Sequence, residues 1–178
     1  MSSAPKTSVI PAVLSSPTSD AYRRGSRGGG PVRLSGLCHA FYGTDGFPAA
    51  LLTPDRRDDL VAVIGAEAEA IVYLYASCDR KATYPALDRA DAVFHDRFTG
   101  RSHVPGERMR RDFAELSAAN EIDLAVIDSG FREEWGPELL ALFGRVQDLL
   151  SADAWRECRT VLAAPVPPST DRRTGPGL

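Results

Sequence analysis

From Glu107 to Ile127 the chain runs without proline or glycine, and apolar residues recur every three or four positions. A stretch this long with that period reads as one amphipathic helix, and whatever folds around it must bury its apolar stripe. At 100° per residue, Met109, Phe113, Leu116, Asn120, Asp123 and Ile127 fall in one sector roughly 80° wide. Four of the six are apolar and set the direction of the core, so Asn120 and Asp123 project into that core or into a space beside it. A buried carboxylate left unpaired costs several kcal/mol, so Asp123 needs a partner. Two readings stay open: a bond to Arg80 or to a helix N-terminus, or a metal or substrate site shared with His39.

Shorter helices surround this one. Thr53-Pro54-Asp55 is a helix start, with Thr53 as a cap, proline at the first helical position and an acid at the positive end of the dipole. Leu60, Ile64, Ala68, Ile71 and Tyr75 follow at helical steps, and Gly65 divides the stretch in two. Gly136-Pro137 opens a further helix with the stripe Leu139, Phe143, Val146 and Leu150. Ser151 or Asp153 caps a last one carrying Trp155, Cys158 and Leu162. No segment alternates as a half-buried strand does, and only Ala92 to Phe98 reads as extended. Asp79 to Gly106, with Pro85, Gly100, Pro105 and many charges, reads as a long loop. The expected fold is all-α, with Leu60, Ile71, Leu74, Phe113, Leu116, Leu139 and Phe143 in one core.

Charge sets the expected boundaries. Residues 1–36 hold five bases and one acid, whereas residues 37–164 hold 22 acids and 14 bases, a net of −8. The Ser/Thr/Pro lead and the Arg23 to Gly30 stretch bury too little apolar surface to offset the cost of ordering. Residues 1–31 and 165–178 therefore read as disordered tails around a compact domain at 32–164. An acidic domain repels phosphates, and the basic tail offers no aromatic platform beyond Tyr22, so no nucleic-acid partner is expected. The longest apolar run, Ala70 to Ala76, is far short of a membrane span, and no signal peptide is legible, so a cytoplasmic protein is expected. Cys38, Cys78 and Cys158 form neither a disulfide framework nor a zinc motif.

The chemistry-bearing residues cluster in Gly36-Leu37-Cys38-His39-Ala40-Phe41-Tyr42-Gly43-Thr44-Asp45-Gly46-Phe47. A short apolar helix delivers His39 to a glycine-rich turn that presents Tyr42, Thr44 and Asp45. Such a segment is either a helix stop whose histidine bonds a carbonyl, or a site using histidine as ligand or acid–base group. Asp79-Arg80-Lys81 follows the Ala70 to Ala76 run. Arg80 there either complements a helix C-terminus or holds a ligand at a pocket mouth. His95-Asp96 and His103 read as surface residues of the loop.

This run, with Ile64-Gly65-Ala66-Glu67-Ala68-Glu69, Tyr73-Leu74-Tyr75 before Asp79-Arg80, and Ala118-Ala119-Asn120-Glu121-Ile122-Asp123-Leu124, resembles a domain-of-unknown-function family. That family occurs in small bacterial and plant proteins and carries a histidine–x–x–tyrosine–glycine–threonine phrase. The resemblance covers about 33–128, and the family is itself similar to HD-type metal-dependent phosphohydrolases. It implies a helical HD-like domain in which His39 matches the histidine of a metal-binding histidine–aspartate pair. Ala40 stands in place of the aspartate, with Asp45 near enough to substitute, and Asn120 or Asp123 would be the late ligand. No histidine precedes His39 to match the upstream ligand. The implied site is therefore catalytic at His39, Asp45 and Asp123, substrate-binding at Tyr42, Thr44, Arg80 and Asn120, and metal-ligating at His39 and Asp123, with a divalent ion as cofactor. The expected function is a small-molecule-binding or interaction module with a degenerate metal site. The alternative is a metal-dependent phosphohydrolase acting on a small phosphorylated molecule.

Overall fold

The computed structural model describes residues 35, 36, 38–45 and 50–163. The two expected tails, Leu37 and residues 46–49 lie outside these. The structure is predominantly helical. Residues 35, 36 and 38 are helical, and the chain then folds back through residues 39–42 and reaches Gly43 at φ +70°, a left-handed conformation that glycine adopts without strain. The Leu51 and Leu52 amides donate to the Phe41 carbonyl, which fastens the returning chain to this turn.

Thr53 precedes a 3-10 turn at Pro54–Arg56, which leads into α1, Arg57–Ile64. Gly65 ends α1 at φ +84° and starts α2, Ala66–Ser77, so the glycine break expected from the sequence is present. Next comes a short α3, Arg80–Thr83, capped by the Asp79 side chain, which accepts from the Ala82 amide at 3.0 Å. A 3-10 turn at Tyr84–Ala86 leads to an antiparallel pair of two-residue strands, β1 (Phe94–His95) and β2 (Ser102–His103). The long helix α4 occupies Glu107–Ile127, the bounds its periodicity gives. Then follow α5, Ser129–Arg145, and α6, Ala152–Leu162, whose Ser151 cap accepts from the Ala154 amide.

Helix α4 is the centre of the packing, in contact with α2, α5 and α6. Phe113, Leu116, Ile71, Leu74 and Phe143 are buried in one cluster with Val146, Cys158 and Leu162, and Leu139 packs against it. Leu60 departs from the expectation: with Tyr42, Val72 and Ala76 it forms a second cluster on the other side of α2. Because α2 is apolar nearly all round, it can serve both clusters. Ile127, placed on the α4 core stripe by periodicity, is 59% exposed because the helix ends beyond the reach of its neighbours.

Two further expectations are corrected. The Asp79 to Gly106 segment is not a structureless loop. Leu87, Ala92 and Phe94 are buried in the main cluster, and Gly100 at φ +68° turns the hairpin. Helix α5 begins seven residues before Gly136, at the cap where Asp128 accepts from the Phe131 amide, and carries Pro137 in its interior. Gly136 is buried with the Leu162 carbonyl 3.1 Å from where a Cβ would stand, which brings α5 against the end of α6.

Two charged residues of α4 that lie off its apolar stripe act as fasteners. Arg110 donates to the Arg89 carbonyl, and Glu115 accepts from the Ser151 amide at the start of α6. We expect Leu116→Ala to lower unfolding stability by about 2–5 kcal/mol in urea titrations, the range for emptying a buried leucine site. A loss below about 0.5 kcal/mol would show that the packing of α4 is misassigned.

Candidate functional site

The helical turn and the two sides of α2 divide the polar interior into two groups. In the first, Tyr42 donates its hydroxyl to Glu69 Oε1 at 2.9 Å, and Arg57 meets the same carboxylate with two 2.7 Å bonds. The Arg57 guanidinium lies 3.7 Å above the Tyr73 ring, whose hydroxyl donates to Asp96 at 2.9 Å. Glu69 is almost fully buried but has three donated bonds, so its lone pairs are answered and the charge is balanced. Every polar atom named here has a partner, and the group acts as a structural tie.

The second group lies where α3 meets α4. Arg80 opens α3, its backbone amide donating at 3.1 Å to Asp45, which comes from the glycine-rich turn. Its side chain runs inward instead of complementing the C-terminus of α2. Nη1 donates to Glu121 at 3.1 Å and Nη2 to the Tyr75 hydroxyl at 2.6 Å. Ser117, Asn120 and Glu121 share one face of α4 at three- and four-residue spacing, so α4 presents them together. The His39 Nδ1 donates to the Gly36 carbonyl at 2.9 Å, and the ring sits edge-on to Tyr75 at 5.8 Å. Burial pushes the imidazole below its usual range. The Gly36 bond, the Asp123 charge and the Asn120 side chain oppose that shift, and the Arg80 charge reinforces it. The carbonyl-bonded histidine foreseen as a helix stop is therefore present, and its other nitrogen keeps a lone pair near neutral pH.

Burial also raises the Glu121 carboxyl, against the pull of Arg80 and a bond from Asn120, and raises the Tyr75 and Tyr84 hydroxyls far above their ordinary value. Three donors of this group are sealed from solvent without an acceptor: Arg80 Nε, the Tyr84 hydroxyl and the Ser117 hydroxyl. Tyr84 faces Ser117 and feels the Arg80 charge, so the three are neighbours, although the two hydroxyls do not reach a well-formed hydrogen bond. Unmatched donors in an interior cost about 1–3 kcal/mol each, and such groups call for an explanation.

The structure thus brings His39, Arg80, Asn120 and Asp123 into one neighbourhood and ties Asp45 to it through the Arg80 amide. It sends the Tyr42 hydroxyl to Glu69 on the other side of the turn, and Thr44 is half-buried between them in sequence. Sequence reasoning missed Tyr75, Tyr84, Ser117 and Glu121. A signal existed: Ala114, Ala118 and Ala125 are small residues flanking Ser117 and Glu121 on a second buried face of α4. His95 and His103 lie on the hairpin, where Ser102 bonds the His95 Nδ1 at 2.9 Å; the His95 carbonyl accepts from the Asp79 amide, which ties the hairpin to the start of α3.

The fit to a divalent ion is poor. His39 and Asp123 feel each other's charge, and the Gly36 bond leaves a ring nitrogen able to ligate. Yet among the described residues no three His, Cys, Asp or Glu side chains come together as a set able to hold a metal. Two protein ligands leave at least half of a tetrahedral shell to water.

Residues 27–80 match the family described as Domain of unknown function (DUF6817). A segment of this predominantly helical chain is thus similar to an uncharacterised domain family. The matched segment holds His39, Tyr42, Thr44 and Asp45 and ends at Arg80, while α4 lies beyond it. No curated protein and no solved structure matches the chain. Among the described residues, no helix is long and apolar enough to cross a membrane.

The depressed imidazole gives a test. Between its folded value and the ordinary 6.5, the unfolded chain takes up a proton that native His39 refuses, so stability is full above about pH 6.5 and falls as the pH drops below it. We expect His39→Gln to flatten this part of the stability–pH curve, measured by thermal denaturation from pH 7.5 to 5.5. Identical slopes for the two proteins would show that the ring titrates freely.

Proposed function

We propose that the protein is a small-molecule-binding helical module whose ligand rests against Arg80, Tyr84 and Ser117, with His39 and Asn120 beside it. The observation that carries this reading is the set of three solvent-sealed donors without acceptors. A fold maintained only for stability gains by matching such groups or replacing them with apolar ones, whereas a binding site holds them ready for a ligand. The approach is from the Arg80 side, where the side chain keeps 22% of its exposure and His39, Asn120 and Asp123 are half-buried.

Removing the unmatched hydroxyls tests this directly. Tyr84→Phe and Ser117→Ala are each expected to leave folding stability unchanged or raise it by about 1 kcal/mol, since each deletes a desolvated group that gains nothing in the free protein. A loss of more than about 1 kcal/mol in urea titrations would mean that the hydroxyls are bonded parts of the framework, and the reading would fall.

The alternative, a metal-dependent phosphohydrolase of HD type, rests on the nearness of His39 and Asp123 and has less support. Its ligand set is short, and the cation that would meet a phosphate is engaged by Glu121. Adding Mn2+ to metal-free protein is expected to leave the Tm unchanged, since a bound ion would raise it by mass action. A rise that Asp123→Asn abolishes would restore the metal-dependent reading.

A further inference from the structure

Helix α6 is held by unlike contacts at its two ends. At the C-terminal end, the Leu162 carbonyl stands 3.1 Å from where a Cβ of Gly136 would be, so the backbones of α5 and α6 approach closely. At the N-terminal end the fastening is polar. Glu115 reaches across from α4, and its Oε1 accepts from the Ser151 amide. The residue is only 9% exposed, and its Oε2 is sealed from solvent with no donor in reach. The other buried acids are answered by cations, Glu69 by Arg57 and Glu121 by Arg80. Among the described residues no ion pair is made to Glu115.

The groups that face Glu115 make its anion harder to hold. Asp112 on its own helix and Asp153 in the first turn of α6 both add negative charge. On the same face of α6, the Cys158 thiol feels the carboxylate, and Glu157 adds to that effect. The arginines of these stretches are engaged elsewhere: Arg108 with Glu67, Arg111 with Glu107 and the Asp148 carbonyl, and Arg156 with Asp153. Burial raises the Glu115 carboxyl, and Asp112 and Asp153 add to the shift. The bonds from Ser151, at the positive end of α6, oppose it.

A neutral carboxyl keeps Oε1 as the acceptor for Ser151 and carries a proton on Oε2, so the fastening survives without a buried charge. The anion keeps the same bond but leaves Oε2 desolvated and unanswered. Water reaches that oxygen when the first turn of α6 lifts. We propose that Glu115 is a proton-operated latch: α6 lies closed on α4 while Oε2 carries a proton, and its first turn lifts once the proton is lost to water. The folded chain holds this proton more tightly than the unfolded one. Its contribution is therefore full below about pH 4.5 and is lost as the pH rises through the folded value, opposite in sign to that of His39. Glu157 of α6 feels the Asp123 charge, so the movement also loosens the Asp123 side of the Arg80 group. The latch works with or without a ligand there.

Two measurements on the full chain test it. The 13C signal of the Glu115 carboxyl, followed from pH 3 to 8, is expected to titrate above the ordinary 4.5. A midpoint at or below 4.5 would overturn the latch. Amide hydrogen exchange in the first two turns of α6, corrected for its intrinsic pH dependence, is expected to quicken about tenfold from pH 5 to 8, the equivalent of one pKa unit. Glu115→Gln keeps the acceptor without the charge and should remove that rise. Exchange of α6 that does not vary with pH, or a rise of the same size in Glu115→Gln, would also overturn it. The Tm of the variant shows whether it is folded, and if it is not, the carboxyl titration and the exchange of the unaltered chain decide.

Discussion

Taking the Arg80 guanidinium out of water costs several kcal/mol, and two helices answer it while a third stretch of chain holds the residue's backbone. Helix α4 brings Glu121, α2 brings Tyr75, and the glycine-rich turn brings Asp45 to the backbone amide of the same residue. With the charge answered, α3 can start at Arg80 under its Asp79 cap, and the following turn can lay Tyr84 and Leu87 into the core. If Glu121 is removed, the guanidinium keeps only the tyrosine hydroxyl as acceptor. The contact between α3 and α4, and the placement of the hairpin beyond it, would then lose their reason.

The turn at 38–45 divides its side chains between the two polar groups. His39 goes to the Arg80 side and Tyr42, three residues on, goes to Glu69. Between them the backbone is pinned by the Gly36 carbonyl on the histidine and by the Phe41 carbonyl receiving two amides. The two groups share this one short segment, which the Glu69 tie, with its bidentate arginine and its tyrosine, anchors on the Tyr42 side.

The helices were legible because their causes are local. The long run without breakers gave α4 to its ends, Gly65 divided α1 from α2, and Ser151 capped α6 as its residue type suggests. The convergence of His39, Arg80, Asn120 and Asp123 could also be anticipated, since Asn120 and Asp123 on an apolar stripe require company. What escaped was decided by partners distant in the chain. Glu69, Arg110, Glu115 and Glu121 look like solvent-facing charges until Arg57, the Arg89 carbonyl, the Ser151 amide and Arg80 are placed against them. The Asp79 to Gly106 segment looked like a loop because its apolar residues, Leu87, Ala92 and Phe94, follow no period. They are buried one at a time between turns. Gly136-Pro137 has the form of a helix start but lies inside α5, where the glycine permits the close approach to Leu162.

The three thiols carry a further consequence. Cys78 and Cys158 are buried in the main cluster, their thiols pushed up to about 11 and about 12 chiefly by burial, while Cys38 is half-buried in the turn. Since only the thiolate reacts, the two interior sulfurs are silent in the native state and become reactive when the helices around them separate. Their labelling therefore records the chain's own breathing. Cys78 reports opening at the junction of α2 with the hairpin, and Cys158 reports the lifting of α6 from α4. The order in which they react is the order in which these two contacts let go.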